Sequence, residues 1–258
     1  MDIKPKDVLA KSIDVPQLVV PDGYVFVAAS TDLNLSYALT TTIVGFKPDM
    51  TAHVITYFFT RCYVDSQLPL AQYNSAIFDL LTGLGKEIAA LGLPIDGWGI
   101  DAGGLPFDAV ASFAKNSSQL VGIPACACVG RAAHIFNPFV RTKLRGAVNR
   151  TVLCGDAQEH VKAGAGKKYM FWDSDFYRET VQKALLSKVG LAGSLTLFKG
   201  DADEHSDYAM QVTNERLLLI QHKKDGRDFY SWKSKEPHDA LDATAQAFAI
   251  AASQGISG

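Results

Sequence analysis

The sequence predicts an α/β protein: one mixed β-sheet with helices on both faces. Three observations carry that prediction. The runs "YVFVAASTD" (24–32), "YALTTTIVGF" (37–46) and "HVITYFF" (53–59) follow one another with short breaks, the pattern of an antiparallel meander. Helical and strand-like stretches then alternate, which calls for parallel strands covered by helices. The last regular stretch, "PHDALDATAQAFAIAA" (237–252), is an alanine-rich helix suited to close packing on a sheet.

Taken in order, residues 1–20 read as a polar tether broken by Pro5 and Pro16, leaving 21–258 as one domain. After the meander, "NSAIFDLLTGLGKEIAAL" places apolar residues at 77, 80, 81, 84, 88 and 91, a helical stripe. "GWGID" (97–101) is a short strand, "LPFDAVASFA" a helix, and "LVGIPACACV" an apolar strand. Residues 130–168 are glycine-dotted and weakly periodic. "DFYRETVQKALLSKV" is a helix, "SLTLF" a strand and "SDYAMQVTNER" a helix; His160 is expected in a helix as well. "RLLLIQHKKDGRDFYSWK" is a hairpin with Asp225-Gly226 as its turn, and Pro237 opens the last helix. The order β-β-β-α-β-α-β is the ribonuclease H-like arrangement.

Composition sets limits. Of 258 residues, 48% are hydrophobic and 20% charged, enough for a full core. No apolar run approaches the ~20 residues of a membrane helix, and "MDIKPKDVLAKSIDVP" has no signal-peptide core. The expected setting is cytoplasmic. Cys62, Cys126, Cys128 and Cys154 lack zinc or disulfide spacing and read as core or free thiols. Net charge is only −2, yet Gly130 to Arg150 holds Arg131, Arg141, Lys143, Arg145 and Arg150 with no acid. A second basic cluster, 222–235, contains Lys223 and Lys224. Either cluster alone is an ordinary solvated face; two together point to a polyanion.

The acids are more specific as a set than singly. Asp32 ends the first strand on the face of Phe26, Ala28 and Ser30, and Asp101 ends "GWGID". Each also suits a turn or a cap. Asp239 and Asp242 lie in the first turns of the last helix, where the dipole favours acids. At i and i+3, however, they repel by about a few tenths of a kcal/mol. In this topology the three elements bring the acids to one sheet edge. Such a cluster becomes favourable around divalent cations, and two metals ~3.5–4 Å apart suit in-line attack at phosphorus. Mg²⁺ takes hard oxygen ligands and keeps waters, so three or four carboxylates suffice. Bare backbone at Gly103 and Gly104 would let a phosphate approach.

The stretches "VAASTDLNLSYALTTTIVGF", "IDAGG", "HSDYAMQVTNER" and "WKSKEPHDALDATAQAFA" together resemble the nuclease domain of large terminase subunits of tailed bacteriophages, the lambda-like branch in particular. The similarity runs from about Pro21 to about Ala252. It implies a ribonuclease H-like endonuclease that uses Mg²⁺ or Mn²⁺ to cut concatemeric viral DNA in the host cytoplasm. By motif, Asp32 is the first-strand acid, Asp101 the second, and the "HDALDA" helix supplies the last from Asp242 or Asp239, with Asp242 preferred. Double-stranded DNA, an ATPase motor domain, a small terminase subunit and a portal are the implied partners. The sequence holds no G-x-x-x-x-G-K-[ST]. The expectation is therefore an excised domain or a separately encoded nuclease, and the leading tether favours excision.

Other readings stand beside this one. "IDAGG" also resembles a phosphate loop of actin-like ATPases; a junction resolvase or RNA–DNA hybrid nuclease shares the fold; and a docking module for the portal needs no catalysis. His238, next to the acids, is a weak auxiliary to metal or phosphate. His205 reads as a polar surface histidine, while His53, His134, His160 and His222 imply no chemistry.

Overall fold

A computed structural model of the chain describes residues 3–103, 106–131, 140–142, 150–152, 157–162, 167–221, 228–234 and 236–256. The sheet begins with β1 (Phe26–Asn34), β2 (Ala38–Phe46) and β3 (Ala52–Arg61), which form the expected antiparallel meander. Helix α1 (Pro5–Leu9) precedes them; α2 (Leu70–Ala90), β4 (Gly97–Asp101), α3 (Phe107–Val121) and β5 (Ala125–Arg131) follow. Next come β6 (Val140–Thr142), β7 (Arg150–Val152), β8 (Ala157–Lys162) and β9 (Lys167–Asp173). The rest is α4 (Ser174–Leu186), β10 (Leu195–Leu197), α5 (Ala202–Asn214), β11 (Arg216–Gln221), β12 (Asp228–Lys233) and α6 (Asp239–Ser253).

Eight strands form one sheet in the order β10-β3-β2-β1-β4-β5-β9-β8. β1, β4, β5 and β9 run parallel, so their C-terminal ends share one edge. The chain leaves β1 toward β2 on one side and returns at β4 on the other. That reversal opens a crevice beyond the strand ends, the usual place for a ligand in such sheets.

Alternation along each strand divides the core into two layers. Trp98 and Ile100 of β4 meet Ile77 and Leu81 of α2 and Phe113 of α3. On the other face, Val44 and Cys128 pack with Tyr177, Tyr208, Leu241 and Phe248 from α4, α5 and α6. The Trp98 indole donates to Thr31 Oγ1 at 2.9 Å, tying β4 to β1. Alanines let α6 lie almost on the sheet, and Gly99 is the counterpart that this closeness requires. A Cβ there would sit 2.2 Å from Ile250 Cδ1.

Several expectations change. Leu120 and Val121 belong to α3, which runs until Gly122 takes a left-handed φ of 77°; the following strand starts only at Ala125. His160 lies in β8, not a helix. Residues 130–168, expected to be irregular, contribute β8 and the start of β9 to the sheet, while β6 and β7 pair separately; β9 is buried at Tyr169, Met170, Phe171 and Trp172. His205 is fully buried: its Nε2 meets Phe198 O at 3.0 Å and its Nδ1 meets Tyr57 Oη at 2.8 Å.

The N-terminal stretch read as a tether is docked on the body. Ile3 and Val8 are buried, and residues 11–15 follow the outer edge of β10. Leu197 N–H donates to Lys11 O at 2.9 Å, and Ile13 N–H donates to Leu197 O at 3.1 Å. An otherwise open edge strand is thereby covered. The β11–β12 pairing ends at Gln221↔Asp228, so the Asp225-Gly226 turn lies outside the described residues. No helix among the described residues is long and apolar enough to cross a membrane.

Candidate active site

The parallel register pairs Thr31 with Ile100, so one step further brings Asp32 beside Asp101 on the α6 face. α6 supplies the third acid. Its position is set by Gln246, one turn beyond Asp242, whose Nε2 donates to Ser30 Oγ at 2.9 Å. Tyr208 and Thr244 hydroxyls, 2.9 Å apart, tie α6 to α5. Asp32, Asp101 and Asp242 line a single cavity of about 150 Å³ with Gly103, Gly130, Trp172, Ser174, Arg178 and Gln246. A larger cavity of about 260 Å³ opens at the opposite end of the sheet, lined by Phe26, Trp98, Cys126 and Ile250. Its one acid, Asp96, already accepts the Val27 N–H at 2.7 Å, so that cavity offers no acid cluster.

The electrostatics match the geometry. Burial pushes the Asp32 carboxyl well above its ordinary pKa, and Asp242, Asp101 and Asp239 push it further. Asp101 rises to about 6, chiefly through burial, with the Gly103 N–H opposing and Asp242 adding to the rise. Asp239 is raised by burial, against His238 and a hydrogen bond to the Asn34 side chain. It sits beside the cavity, not in its lining. These acids face one another from three elements, which is the arrangement expected of groups meant to share a cation.

The cations come from α4 and β5. Asp173 ends β9 and caps α4, accepting the N–H groups of Asp175 and Phe176 at 3.2 and 3.3 Å. One turn on, Arg178 grips Asp242 with Nε–Oδ1 at 2.5 Å and Nη2–Oδ2 at 2.8 Å. Burial works against the Arg178 charge, but Asp242 and Glu215 more than offset it, so its pKa is raised. Glu215, after α5, is itself pushed up by burial. Arg131, at the end of β5, bonds its own neighbour Gly130 O at 2.9 Å, and the Asp101 charge supports it against the lowering that burial causes.

Most site expectations are brought together here: Asp32, Asp101, Asp242 and Gly103 at the cavity, Asp239 and Arg131 next to it. His238 stands at the N-terminal boundary of α6 without a side-chain capping bond, its Nε2 3.8 Å from Asp242 Oδ2. Gly103 is exposed, and among the described residues a Cβ on it would meet nothing closer than Asp101 Oδ1 at 3.5 Å. Gly104, Lys143, Arg145, Lys223 and Lys224 lie outside the described residues, as do the side chains of Arg141 and Arg150. Sequence reasoning missed Arg178, Glu215 and Gln246. Arg178 had a signal: it falls on the stripe of Ser174, Val181 and Leu185, the buried side of α4.

The fold and the acid cluster define a ribonuclease H-like nuclease. Residues 1–257 of the chain match the family described as terminase large subunit gpA, endonuclease domain. The protein belongs to that family and is a phosphodiester-hydrolysing endonuclease of DNA packaging. The family match selects the nuclease over the nucleotide-binding and docking readings. Among solved structures, it is similar to the nuclease domain of the large terminase subunit gp2 of bacterial virus Sf6 in a form with manganese and beta-thujaplicinol. That pair is 12% identical, covers 96% of this chain and 98% of the other, and has a TM-score of 0.53. The large terminase of a thermophilic bacteriophage is 12% identical over 93% of this chain and 41% of its own, with a TM-score of 0.40. Thermus thermophilus RuvC is 9% identical over 90% of this chain and 98% of its own, with a TM-score of 0.37. No curated protein matches the sequence.

Proposed function

We propose that Asp32, Asp101 and Asp242, with Asp239 beside them, hold two divalent cations, Mg²⁺ or Mn²⁺, and that the domain cuts concatemeric viral DNA there. The observation that carries this is the convergence of residues 32, 101 and 242 on one cavity at the C-terminal strand edge. The donor set fits the ions: every donor lining the cavity from these acids is a carboxylate oxygen, suited to hard cations. Burial first, and the neighbouring carboxylates second, raise the pKa values of Asp32 and Asp101, which supports a cation shared between them. Bound there, the cations would supply Lewis acidity for water attack and for the departing oxygen.

The chain's own groups do the rest. Asp32 and Asp101 are fixed by strand pairing, Asp242 by α6 and Arg178. Exposed Gly103 leaves room for a phosphate, and Arg131 stands beside Asp101 to meet it. Arg141, Lys143, Arg145 and Arg150, with Lys223 and Lys224 on the second basic segment, would track the duplex backbone. An ATPase motor, a small terminase subunit and a portal are the partners in this reading, and the host cytoplasm its setting.

Supercoiled plasmid tests it. Nicking and linearisation with Mg²⁺ or Mn²⁺ and none in EDTA is the expected result; equal cutting in EDTA would remove the two-metal assignment. DNA affinity should also fall with salt. Each lost phosphate contact flattens the log-affinity against log-salt slope by roughly 0.9. Arg141→Ala combined with Lys143→Ala should therefore flatten it by about 2, and an unchanged slope would make the segment an ordinary solvated loop.

A further inference from the structure

One guanidinium is shared between an acid of the cavity and an acid outside it. Arg178 makes its two-pronged contact with Asp242, and the same Nε lies 3.3 Å from Glu215 Oε2. Glu215 Oε2 is buried without an aligned hydrogen bond, so Arg178 meets it as an ion pair only. The Glu215 side chain is 6% exposed. Its backbone is anchored, since Gln182 Nε2 donates to Glu215 O at 3.1 Å. His238 Nε2, 4.0 Å from Glu215 Oε1 and 3.8 Å from Asp242 Oδ2, stands at the more exposed side of the group.

Arg178 takes one acceptor site on each oxygen of Asp242, and its positive charge opposes a cation that binds there. A buried guanidinium stripped of its anion is strongly unfavourable unless another anion takes its place. Glu215 is that anion, already within reach. We infer that Arg178 is a positioning residue that holds Asp242 in the cation-free protein and passes to Glu215 when a divalent cation takes Asp242. This rests on the assignment of Asp242 as a ligand. Arginine suits the role because its planar fork can keep one prong on each carboxylate during the exchange.

Opposite effects on metal affinity are the first expectation. Arg178→Gln should bind Mn²⁺ more tightly, by about tenfold, within the coupling seen between contacting charges. Glu215→Gln should bind it more weakly, since Arg178 then has no second anion. Through-space charge predicts the same signs, so the decisive measurement is calorimetric Mn²⁺ binding to the double variant. The exchange requires that Glu215→Gln lose its effect once Arg178 is gone. A Glu215→Gln penalty that persists or grows in the Arg178→Gln background would overturn the exchange, making Glu215 a distant field or a ligand. Weaker Mn²⁺ binding by Arg178→Gln would overturn it too. Arg178→Lys keeps the charge without the fork and serves if Arg178→Gln does not fold; a Glu215→Gln penalty as large in that background as in the wild type would contradict the inference, and a smaller one support it. A wild type that binds no Mn²⁺ removes the site assignment itself, and the exchange with it.

Discussion

Asp101→Asn is expected to melt at a higher temperature than the wild type in EDTA at pH 8, and to cut no DNA. The Asp101 carboxyl stands at about 6 in the fold, raised from 3.8. A group with a raised folded pKa lends its stability fully below its unfolded value and loses it as pH climbs through the folded one. The loss falls between about pH 4 and somewhat above pH 6, so the metal-free wild type should be less stable at pH 8 than at pH 5. Two pK units correspond to roughly 3 kcal/mol, an upper figure because the acids titrate together. Asn removes that destabilisation and flattens the pH dependence. In a protein this size the change amounts to several degrees, at about 2–4 °C per kcal/mol. Mn²⁺ should raise the wild-type melting temperature by linkage and the variant's far less. A variant that still cuts, or gains as much from Mn²⁺, would return Asp101 to a turn or cap.

Gly99→Val should be the most damaging substitution away from the acids. Its first added carbon would stand 2.2 Å from Ile250 Cδ1, 3.0 Å from Gln246 Nε2 and 3.1 Å from Cys128 Sγ. The Ile250 tip can turn aside for alanine, but two further methyls would lift α6 from the sheet. Overpacking of this kind costs about 1–3 kcal/mol, sometimes more. Because Gln246 and Asp242 ride on the same helix, cleavage should fall further than the loss of stability explains. Wild-type melting and activity in Gly99→Val would show that α6 does not pack as closely as described.

Local patterns made much of this visible beforehand. The meander announces itself through three β-rich runs with short breaks, α2 through its apolar stripe, and α6, buried nearly all round, through its alanines and the proline that opens it. Asp32, Asp101 and Asp242 were legible because strand ends and a helix start are positions that topology, once inferred, carries to one edge. β9 was not: a strand buried on both faces shows an apolar run, "YMFW", without alternation, inside a segment that glycines and cations make look irregular. His205 was misread because a single polar residue on α5 does not reveal that Tyr57, 148 positions away, supplies its partner. Glu215 escaped for the same reason, while Arg178 lay on the buried stripe of α4 but its partners were visible only through tertiary contact.

The cavity draws its acids from β1, β4 and α6, and α6 is the last regular element in chain order. During synthesis, a chain that has already paired β1 with β4 still lacks its third carboxylate, together with Gln246, which pins that helix over Ser30. On the proposed assignment of Asp242, cutting competence is therefore acquired late. A stalled or truncated product that lacks α6 is then expected to leave the genome that encodes it uncut.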